Sequence, residues 1–139
     1  MKIQTAAIAI IKKDNKFLMT KRVRFDPEDK EFSPYVWQFP GGGMEFGETP
    51  EETVKREMVE EIGTEIEIIS LIPKIYTEVR HNWQGIFICF LCKLKNENST
   101  IILNHEASEY NWFGLDEIPK LRLLPKTFEM AKESMKIKL

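Results

Sequence analysis

The sequence predicts an α+β fold in which a mixed β-sheet is sandwiched between α-helices. Short runs of β-branched and aromatic residues, separated by turn residues, predict strands along most of the chain. Segment 50–62 has clear helix start and stop signals, and segment 125–137 has apolar residues at helical spacing. The chain has 139 residues, of which 42% are hydrophobic and 30% charged, so it can bury one core. We therefore expect residues 1–139 to form a single domain.

The segments before the first helix are assigned from their local patterns. Residues 3–11 are mostly apolar and β-branched, which predicts a strand buried on both faces. The turn at 13–16 joins this strand to a second one, 17–22, as a hairpin. Residues 24–34 are charged and contain two prolines, so we expect a loop that either helps to select a substrate or is a solvated connection. Residues 35–39 predict a short aromatic strand.

The segments after the helix predict three more strands. Residues 64–80 alternate between polar and apolar side chains, which is typical of a half-buried strand, and Pro73 within them indicates an edge position or a bulge. Strands are also expected over 85–94 and 109–113, followed by a short helical turn over 116–119. The closing helix then places helices on both faces of the sheet.

Charge and hydropathy argue against two kinds of partner. The formal net charge of −2 gives no overall field that would attract nucleic acid or an anionic membrane. No apolar run is long enough to cross a bilayer. Residues 1–13 combine a lysine with an apolar run, as signal peptides do, but the run is strand-like and lacks a small-residue cleavage site. We expect neither nucleic acid nor a membrane as a partner.

Cys89 and Cys92 form a C-x-x-C motif inside the apolar segment 85–94. In a strand, positions three apart point to opposite faces, and no further cysteine is present to complete a four-thiolate zinc site. We expect both to be plain core cysteines. Reduced thiols are typical of the cytosol, so we expect a cytoplasmic protein.

The helix over 50–62 is defined by signals at both ends. Thr49 and Glu52 have the spacing of a capping box, and Pro50 occupies the first helical position. Gly63 can adopt the left-handed conformation that ends many helices.

Three glutamates of this helix, Glu57, Glu60 and Glu61, lie close together. At about 100° per residue they fall within an arc of roughly 100°, beside an apolar stripe. The stripe consists of Val54, Met58 and Ile62. Clustered carboxylates repel one another and, near a helix C-terminus, oppose the helix dipole, whereas a bound Mg²⁺ would remove both conflicts. A solvated acidic face is the alternative, and the cluster alone leaves the two balanced.

A glycine run precedes the helix. Residues 40–43 read Pro-Gly-Gly-Gly, which predicts an irregular turn that exposes peptide groups and lets a ligand approach closely. The run is not a P-loop, because no G-K-[ST] follows it. The combination of glycine turn, spacer and capped acidic helix favours a site over a solvated face.

The spacing of these residues resembles the Nudix box of the Nudix (MutT-like) hydrolases. Gly42 and Glu48 are followed by segment 56–63, REMVEEIG, in the family pattern G-x5-E-x7-R-E-U-x-E-E-x-G-U, where U is bulky and apolar. Thr64 departs from the pattern at its last position, which is a packing position. The resemblance implies the Nudix fold and hydrolysis of a nucleoside diphosphate linked to another group.

The resemblance also implies a site for Mg²⁺ or Mn²⁺. The family places the metal on the glutamates that match Glu57, Glu60 and Glu61, with help from the backbone carbonyl that matches Gly42. Such ions neutralise phosphate charge, lower the pKa of a bound water and hold the leaving oxygens in line.

Catalytic roles follow from the same resemblance. Arg56 would orient the carboxylates, with Glu48 and Glu52 as its expected partners. A carboxylate must also accept the proton of the attacking water. The preferred bases are Glu57 and Glu60, and the alternatives outside the box are Glu106 and Glu109.

Sequence signals for the substrate lie outside the box. Segment 112–119 is similar to the segment after the last strand of nucleoside triphosphatases, whereas residues 79–82 lack the markers of the ADP-ribose and dinucleotide branches. We expect hydrolysis of a nucleoside triphosphate, oxidised or not, to a monophosphate and pyrophosphate. The alternatives are an ADP-ribose or dinucleotide pyrophosphatase, an RNA-cap hydrolase and a non-catalytic nucleotide sensor.

The residues predicted to contact this small-molecule nucleotide are Arg22, Trp37, Phe39, Gly41 and Trp83. An arginine at the end of the second strand suits a phosphate, and aromatic rings can stack a base. Core packing is the alternative for each ring. His81 and His105 lie in polar loops and are expected to be solvated. A homodimer is left open.

Overall fold

The computed structural model describes residues 1–23 and 35–138, and the predicted loop over 24–34 lies outside them. The helices and strands, in chain order, are β1 (Lys2–Lys13), β2 (Lys16–Arg22), β3 (Trp37–Gln38), β4 (Gly41–Gly43), α1 (Pro50–Ile62), β5 (Ile66–Arg80), β6 (Trp83–Leu94), β7 (Ala107–Gly114), a 3-10 turn (Ile118–Lys120) and α2 (Thr127–Ser134). The predicted elements are all present, and their order confirms the α+β architecture.

The strands form a seven-stranded mixed sheet in the order β3-β2-β1-β6-β5, with β4 also paired to β1 and β7 to β2. β1 and β6 run parallel, while the other strand pairs are antiparallel. The β1–β2 hairpin closes through Asp14 and Asn15, which both adopt positive φ, as a tight two-residue turn requires. β5 lies at the sheet edge, and its pairing with β6 shifts register between Leu71 and Ile75, across Pro73, as predicted.

Apolar side chains on the two faces of the sheet form two cores. The α1 face includes Val54, Met58, Ile62, Ala7, Ala9, Ile11, Phe90 and Cys92. The α2 face includes Met130, Ala131, Ile10, Phe17, Ile72, Phe87 and Cys89. The cysteines are buried on opposite faces, which confirms the strand argument for the C-x-x-C motif. In the described ranges no helix is long and apolar enough to span a membrane.

The glycine run is the main departure from the predicted structure. Gly41–Gly43 do not form an irregular turn; they form β4, which pairs with Ile8, Ala7 and Ala6 of β1. Their φ angles are not positive, so left-handed freedom is not the reason for the glycines. The reason is space, because a Cβ on Gly41 would clash with the carbonyl oxygen of Ala7.

Candidate active site

A cavity of about 430 Å³ lies beside β4, which is within the size range of small-molecule sites. Strands β1 to β6, helices α1 and α2, and the segments before β7 and α2 supply its lining. The charged residues among the lining are the carboxylates Glu57, Glu61 and Glu106 and the cations Lys2, Arg22 and Arg80. A mixed set of this kind suits a ligand that carries phosphates and a metal ion.

Helix α1 is held at both ends as its sequence predicts. The Thr49 hydroxyl accepts the Glu52 N–H at 3.1 Å, and the Glu52 carboxylate accepts the Thr49 N–H at 2.9 Å. Gly63 ends the helix with φ of 68°. The buried stripe of Val54, Met58 and Ile62 sets the rotation of the helix. This rotation turns Glu57 and Glu61 toward β4.

β4 brings helix α1 close to the cavity because its residues have no side chains. A Cβ on Gly42 would occupy the space that the Glu57 carboxylate fills. The backbone N–H of Gly41 donates to the Glu61 carboxylate. Glycine at these positions therefore lets Glu57 and Glu61 reach the cavity wall past an intervening strand.

Arg56 connects the acidic residues of this region. Its Nε donates to Glu48 Oε2 at 2.6 Å, and its Nη2 donates to Glu48 Oε1 at 3.0 Å. Its Nη1 donates to Glu57 Oε1 at 3.0 Å and to Glu60 Oε2 at 3.2 Å. Hydrogen bonds from Arg56 hold the pKa of Glu48 at about 2, well below its usual range. Glu52, expected as a second partner of Arg56, instead completes the capping box.

Glu61 is a buried carboxyl, with 7% of its surface exposed. Burial raises its pKa well above the usual range, and the hydrogen bond with Glu106 and the nearby charge of Glu57 raise it further. Within the described ranges, Glu61 Oε2 is buried without a hydrogen-bond partner. A buried acceptor of this kind is costly unless a ligand satisfies it.

Glu106 reaches the same cavity from the segment before β7. Its backbone N–H donates to Asn104 Oδ1 at 3.0 Å, and its carbonyl accepts the Val23 N–H at 3.0 Å. The Asn104 N–H in turn donates to the Glu61 carbonyl at 3.2 Å. This chain of bonds fixes Glu106 beside the end of α1, so the carboxylate offered as an alternative base does lie at the site.

The carboxylates fit a hard divalent cation in chemistry but are not gathered around one point. Burial raises the pKa of Glu57, while Arg56 acts in the opposite direction. The unsatisfied oxygen of Glu61 and the anionic oxygens of Glu57 are donors of the kind that Mg²⁺ prefers. Among the residues described, however, no three acidic, histidine or cysteine side chains converge as a ready set of ligands. Glu60 is 53% exposed and bonded to Arg56, outside the cavity lining.

Four of the five predicted substrate-contacting residues line the cavity, namely Arg22, Phe39, Gly41 and Trp83. Trp37 does not: it is 8% exposed and packs edge-on against Phe113, with ring centroids 4.9 Å apart. The structure places Trp37 in the core, which is the alternative that the sequence left open for it. Glu109, the second alternative base, is exposed on β7 opposite Lys21 and away from the lining, and both histidines are exposed.

Several lining residues were not anticipated, and they include Lys2, Gln4, Gln38, Arg80, Thr127 and Met130. For Arg80 a signal was present in the sequence. In the alternating segment 64–80, Ile72 and Tyr76 point into the core, and a period of two places Arg80 on the same buried side. For Gln4 and Met130 no local pattern distinguishes a cavity wall from an ordinary strand or helix.

The fold and this site define the class of protein. A family model described as the NUDIX domain matches residues 1–134, and the chain belongs to that family. An RNA pyrophosphohydrolase from Helicobacter pylori is 38% identical over 102 residues, which cover 65% of each chain. The match thus spans just under two thirds of that relative's length.

Two further relatives match over most of the chain. A nucleoside triphosphatase NudI from an Enterobacter species is 28% identical over 131 residues, covering 88% of this chain and 90% of the relative. The crystal structure of a MutT NUDIX hydrolase from Burkholderia pseudomallei aligns with a TM-score of 0.80 at 21% identity, covering 96% of this chain and 98% of that one. The structural likeness concerns the fold.

Proposed function

We propose that this protein is a hydrolase that depends on Mg²⁺ or Mn²⁺ and cuts a nucleoside triphosphate to a monophosphate and pyrophosphate. The observation that carries the proposal is the side-chain-free strand β4, which lets buried carboxylates of α1 reach a cavity of nucleotide size. Relatives named as a nucleoside triphosphatase and an RNA pyrophosphohydrolase support the reaction class. The family match over 1–134 supports a single domain over 1–139.

The residues that would hold the metal are Glu57, Glu60, Glu61 and the carbonyl of Gly42. When bound, the metal supplies neutralisation of phosphate charge and a lowered pKa of water. Arg56 fixes Glu57 and Glu60 on one side of the helix through its guanidinium and is anchored by Glu48. Glu60 is exposed and would have to turn toward the cavity to hold a metal there. Its hydrogen bond to Arg56 Nη1, which also donates to Glu57, holds the two carboxylates side by side.

Two carboxylates are positioned to accept the proton of the attacking water. Glu57 lines the cavity, and its raised pKa makes it a stronger base than an ordinary glutamate. Glu106 also lines the cavity and comes from an independent segment. We propose Glu57 as the base and Glu106 as the alternative. Glu60 is not preferred as the base because it lies outside the cavity lining.

Phe39 and the part of Trp83 that Arg80 does not cover are the aromatic surfaces proposed to contact a nucleoside, while Arg22 provides a cation for a phosphate. A triphosphorylated RNA 5′ end is a second candidate substrate, because relatives that are 38% identical are named RNA pyrophosphohydrolases. It carries the same triphosphate and would engage the same carboxylates. We prefer the free nucleotide because the relative named as a nucleoside triphosphatase matches over more of the chain.

A substrate panel tests this assignment. Initial rates with Mg²⁺ and with Mn²⁺ are compared for nucleoside triphosphates, oxidised triphosphates, ADP-ribose, a dinucleoside polyphosphate and a short 5′-triphosphorylated RNA. We expect pyrophosphate release from at least one free triphosphate. A markedly higher kcat/KM for the RNA than for every free nucleotide would identify triphosphorylated RNA as the preferred substrate. Tight nucleotide binding without turnover of any compound would identify a sensor instead.

Single substitutions test the carboxylates. Glu57→Gln, Glu60→Gln and Glu61→Gln each replace a carboxyl group by an amide of nearly the same volume, and each is expected to lower kcat at least about 100-fold. Glu51→Gln is the matched control, since Glu51 is an exposed glutamate in the first turn of the same helix. Equal activity in all four variants would reject the proposed site.

A further inference from the structure

We propose that Arg80 binds a phosphate of the substrate and that Trp83 and Gln4 hold its guanidinium in position. The inference rests on the proposed function, because it assigns a contact to the same cavity. It identifies a residue that favours compounds with an extended chain of phosphates.

Arg80 is fixed at the end of a tight hairpin. It is the last residue of β5 and pairs with Trp83, the first residue of β6, across the turn at 81–82. His81 in this turn has φ of 49°, and the Asn82 carbonyl accepts the Lys2 N–H at 2.8 Å. The turn is thereby tied to the start of β1, so the backbone of Arg80 is held from two strands.

The side chain of Arg80 is held by stacking. Its Cζ lies 4.9 Å from the centroid of the Trp83 ring. The indole N–H of Trp83 donates to Gln4 Oε1 at 3.2 Å, which fixes the ring. Gly85 leaves room for the ring, since a Cβ there would clash with the indole. Stacking engages the face of a guanidinium, whereas arginine recognises phosphate through the in-plane N–H groups of its planar fork.

The stacked side chain of Arg80 lies in the wall of the proposed substrate cavity. Arg80 is 6% exposed, yet it lines the cavity that also holds Glu57 and Glu61. A substrate that places one phosphate near the carboxylates of α1 therefore has an arginine in the same cavity for another phosphate. The guanidinium also covers one face of Trp83, so that face is not open for a nucleobase.

Binding of inorganic tripolyphosphate, measured by calorimetry at constant ionic strength with Mg²⁺, tests the contact without a nucleoside. We expect Arg80→Gln to weaken binding roughly 10- to 100-fold, the loss typical of one charge-assisted pair. Arg80→Lys keeps the charge but loses the planar fork, and Trp83→Leu removes the stack, so each is expected to show an intermediate loss. Arg122→Gln, which removes an exposed arginine outside the cavity lining, should bind like the wild type.

Kinetics and spectroscopy distinguish a binding role from a structural one. If the protein hydrolyses a triphosphate, Arg80→Lys should raise KM with little change in kcat. In the wild type, the Nε–H resonance of Arg80, assigned by comparison with Arg80→Lys, should shift on titration with tripolyphosphate. This second measurement decides the question even if Arg80→Gln does not fold.

The possible outcomes separate the two proposals. Unchanged tripolyphosphate affinity in folded Arg80→Gln, or an Nε–H resonance that does not respond, overturns the role of Arg80 and leaves the hydrolase assignment intact. Tripolyphosphate binding that depends on Arg80, in a protein that hydrolyses no nucleoside triphosphate, overturns the proposed reaction and supports the phosphate contact.

Discussion

Replacing Arg56 by alanine should separate the contribution of the arginine to the fold from its contribution to activity. Arg56 donates to Glu48, Glu57 and Glu60 and to the carbonyl of Gly43, so one substitution removes all of these bonds. It also leaves three carboxylates close together with no cation among them. Both effects destabilise the folded state, and both disturb the glutamates proposed to bind metal.

The expected loss of stability depends on how buried each partner is. The side chain of Arg56 is 24% exposed and that of Glu57 is 13% exposed, whereas that of Glu60 is 53% exposed. The Glu60 pair is therefore largely screened and adds little. The shielded bond to Glu57 is worth about 1.5–3 kcal/mol, as is typical for hydrogen bonds to charged groups. We expect Arg56→Ala to lower the free energy of unfolding by about 2–3 kcal/mol, which lowers Tm by about 8 °C.

Thermal and urea unfolding, each monitored by circular dichroism, measure this loss in the absence of metal. Lys55→Ala is the matched control because it removes an exposed cation from the adjacent position of the same helix. Arg56→Lys should recover part of the stability, since a lysine can satisfy one acceptor but cannot bridge several. Its activity should remain low if the alignment of Glu57 and Glu60 is what matters.

A free energy of unfolding for Arg56→Ala within about 0.5 kcal/mol of that of the Lys55→Ala control, the range of ordinary surface substitutions, would contradict the expected loss of stability. Full activity in Arg56→Lys would contradict the expected loss of carboxylate alignment. In the first case the hydrogen bonds would be too solvated to contribute, and in the second a point charge would suffice to orient the carboxylates.

Three further predictions concern space, acidity and burial. Gly42→Ala should lower metal-dependent kcat at least about 100-fold because its Cβ would displace the Glu57 carboxylate, whereas Gly43→Ala meets only the flexible end of Gln4 and should lower kcat far less. Glu48 has a folded pKa of about 2 against an ordinary value of 4.5, so its contribution is present above pH 4.5 and lost as the pH falls toward 2. Urea titrations should show the stability gap between wild type and Glu48→Gln shrinking across that window, and a gap independent of pH would contradict the assignment. Burial raises the pKa of both cysteine thiols to about 12, so a thiol reagent at pH 8 should label them slowly until guanidinium is added, and immediate labelling of the native protein would refute their burial.

Helix α1 could be predicted from the sequence because the signals that define it are local. The capping box at Thr49, the proline after it and Gly63 act within a few residues, and the structure places both ends of the helix where they indicate. The apolar stripe sets the rotation of the helix, so the approximate direction of Glu57 and Glu61 could also be predicted from the sequence. The exposure of Glu60 could not be predicted, because it depends on where β4 and Arg56 lie.

The features that could not be predicted depend on residues far apart in the chain. Gly41–Gly43 become a strand only because β1 offers a free edge next to them, and a glycine run looks the same in a turn. Contacts with distant residues also decide why Trp37 lies in the core and Trp83 in the cavity. Both tryptophans lie in short segments with apolar residues, but Trp37 packs against Phe113, whereas Trp83 donates a hydrogen bond to Gln4. Arg80 differs from these residues, because the local alternation of β5 places it on the buried side with Ile72 and Tyr76.

The parallel pairing of β1 with β6 has a consequence for how the chain reaches this structure. Lys2 pairs with Trp83, so about 80 residues must be made after the first strand before its partner exists. At roughly 5–20 residues per second, one edge of an apolar, β-branched strand waits about 4–16 s during synthesis without that partner. Such an edge is a template for pairing with other chains, and non-local contacts of this kind form slowly. Aggregation during expression is therefore most expected in nascent chains that end before β6, and chains extended past Leu94 should be protected from it.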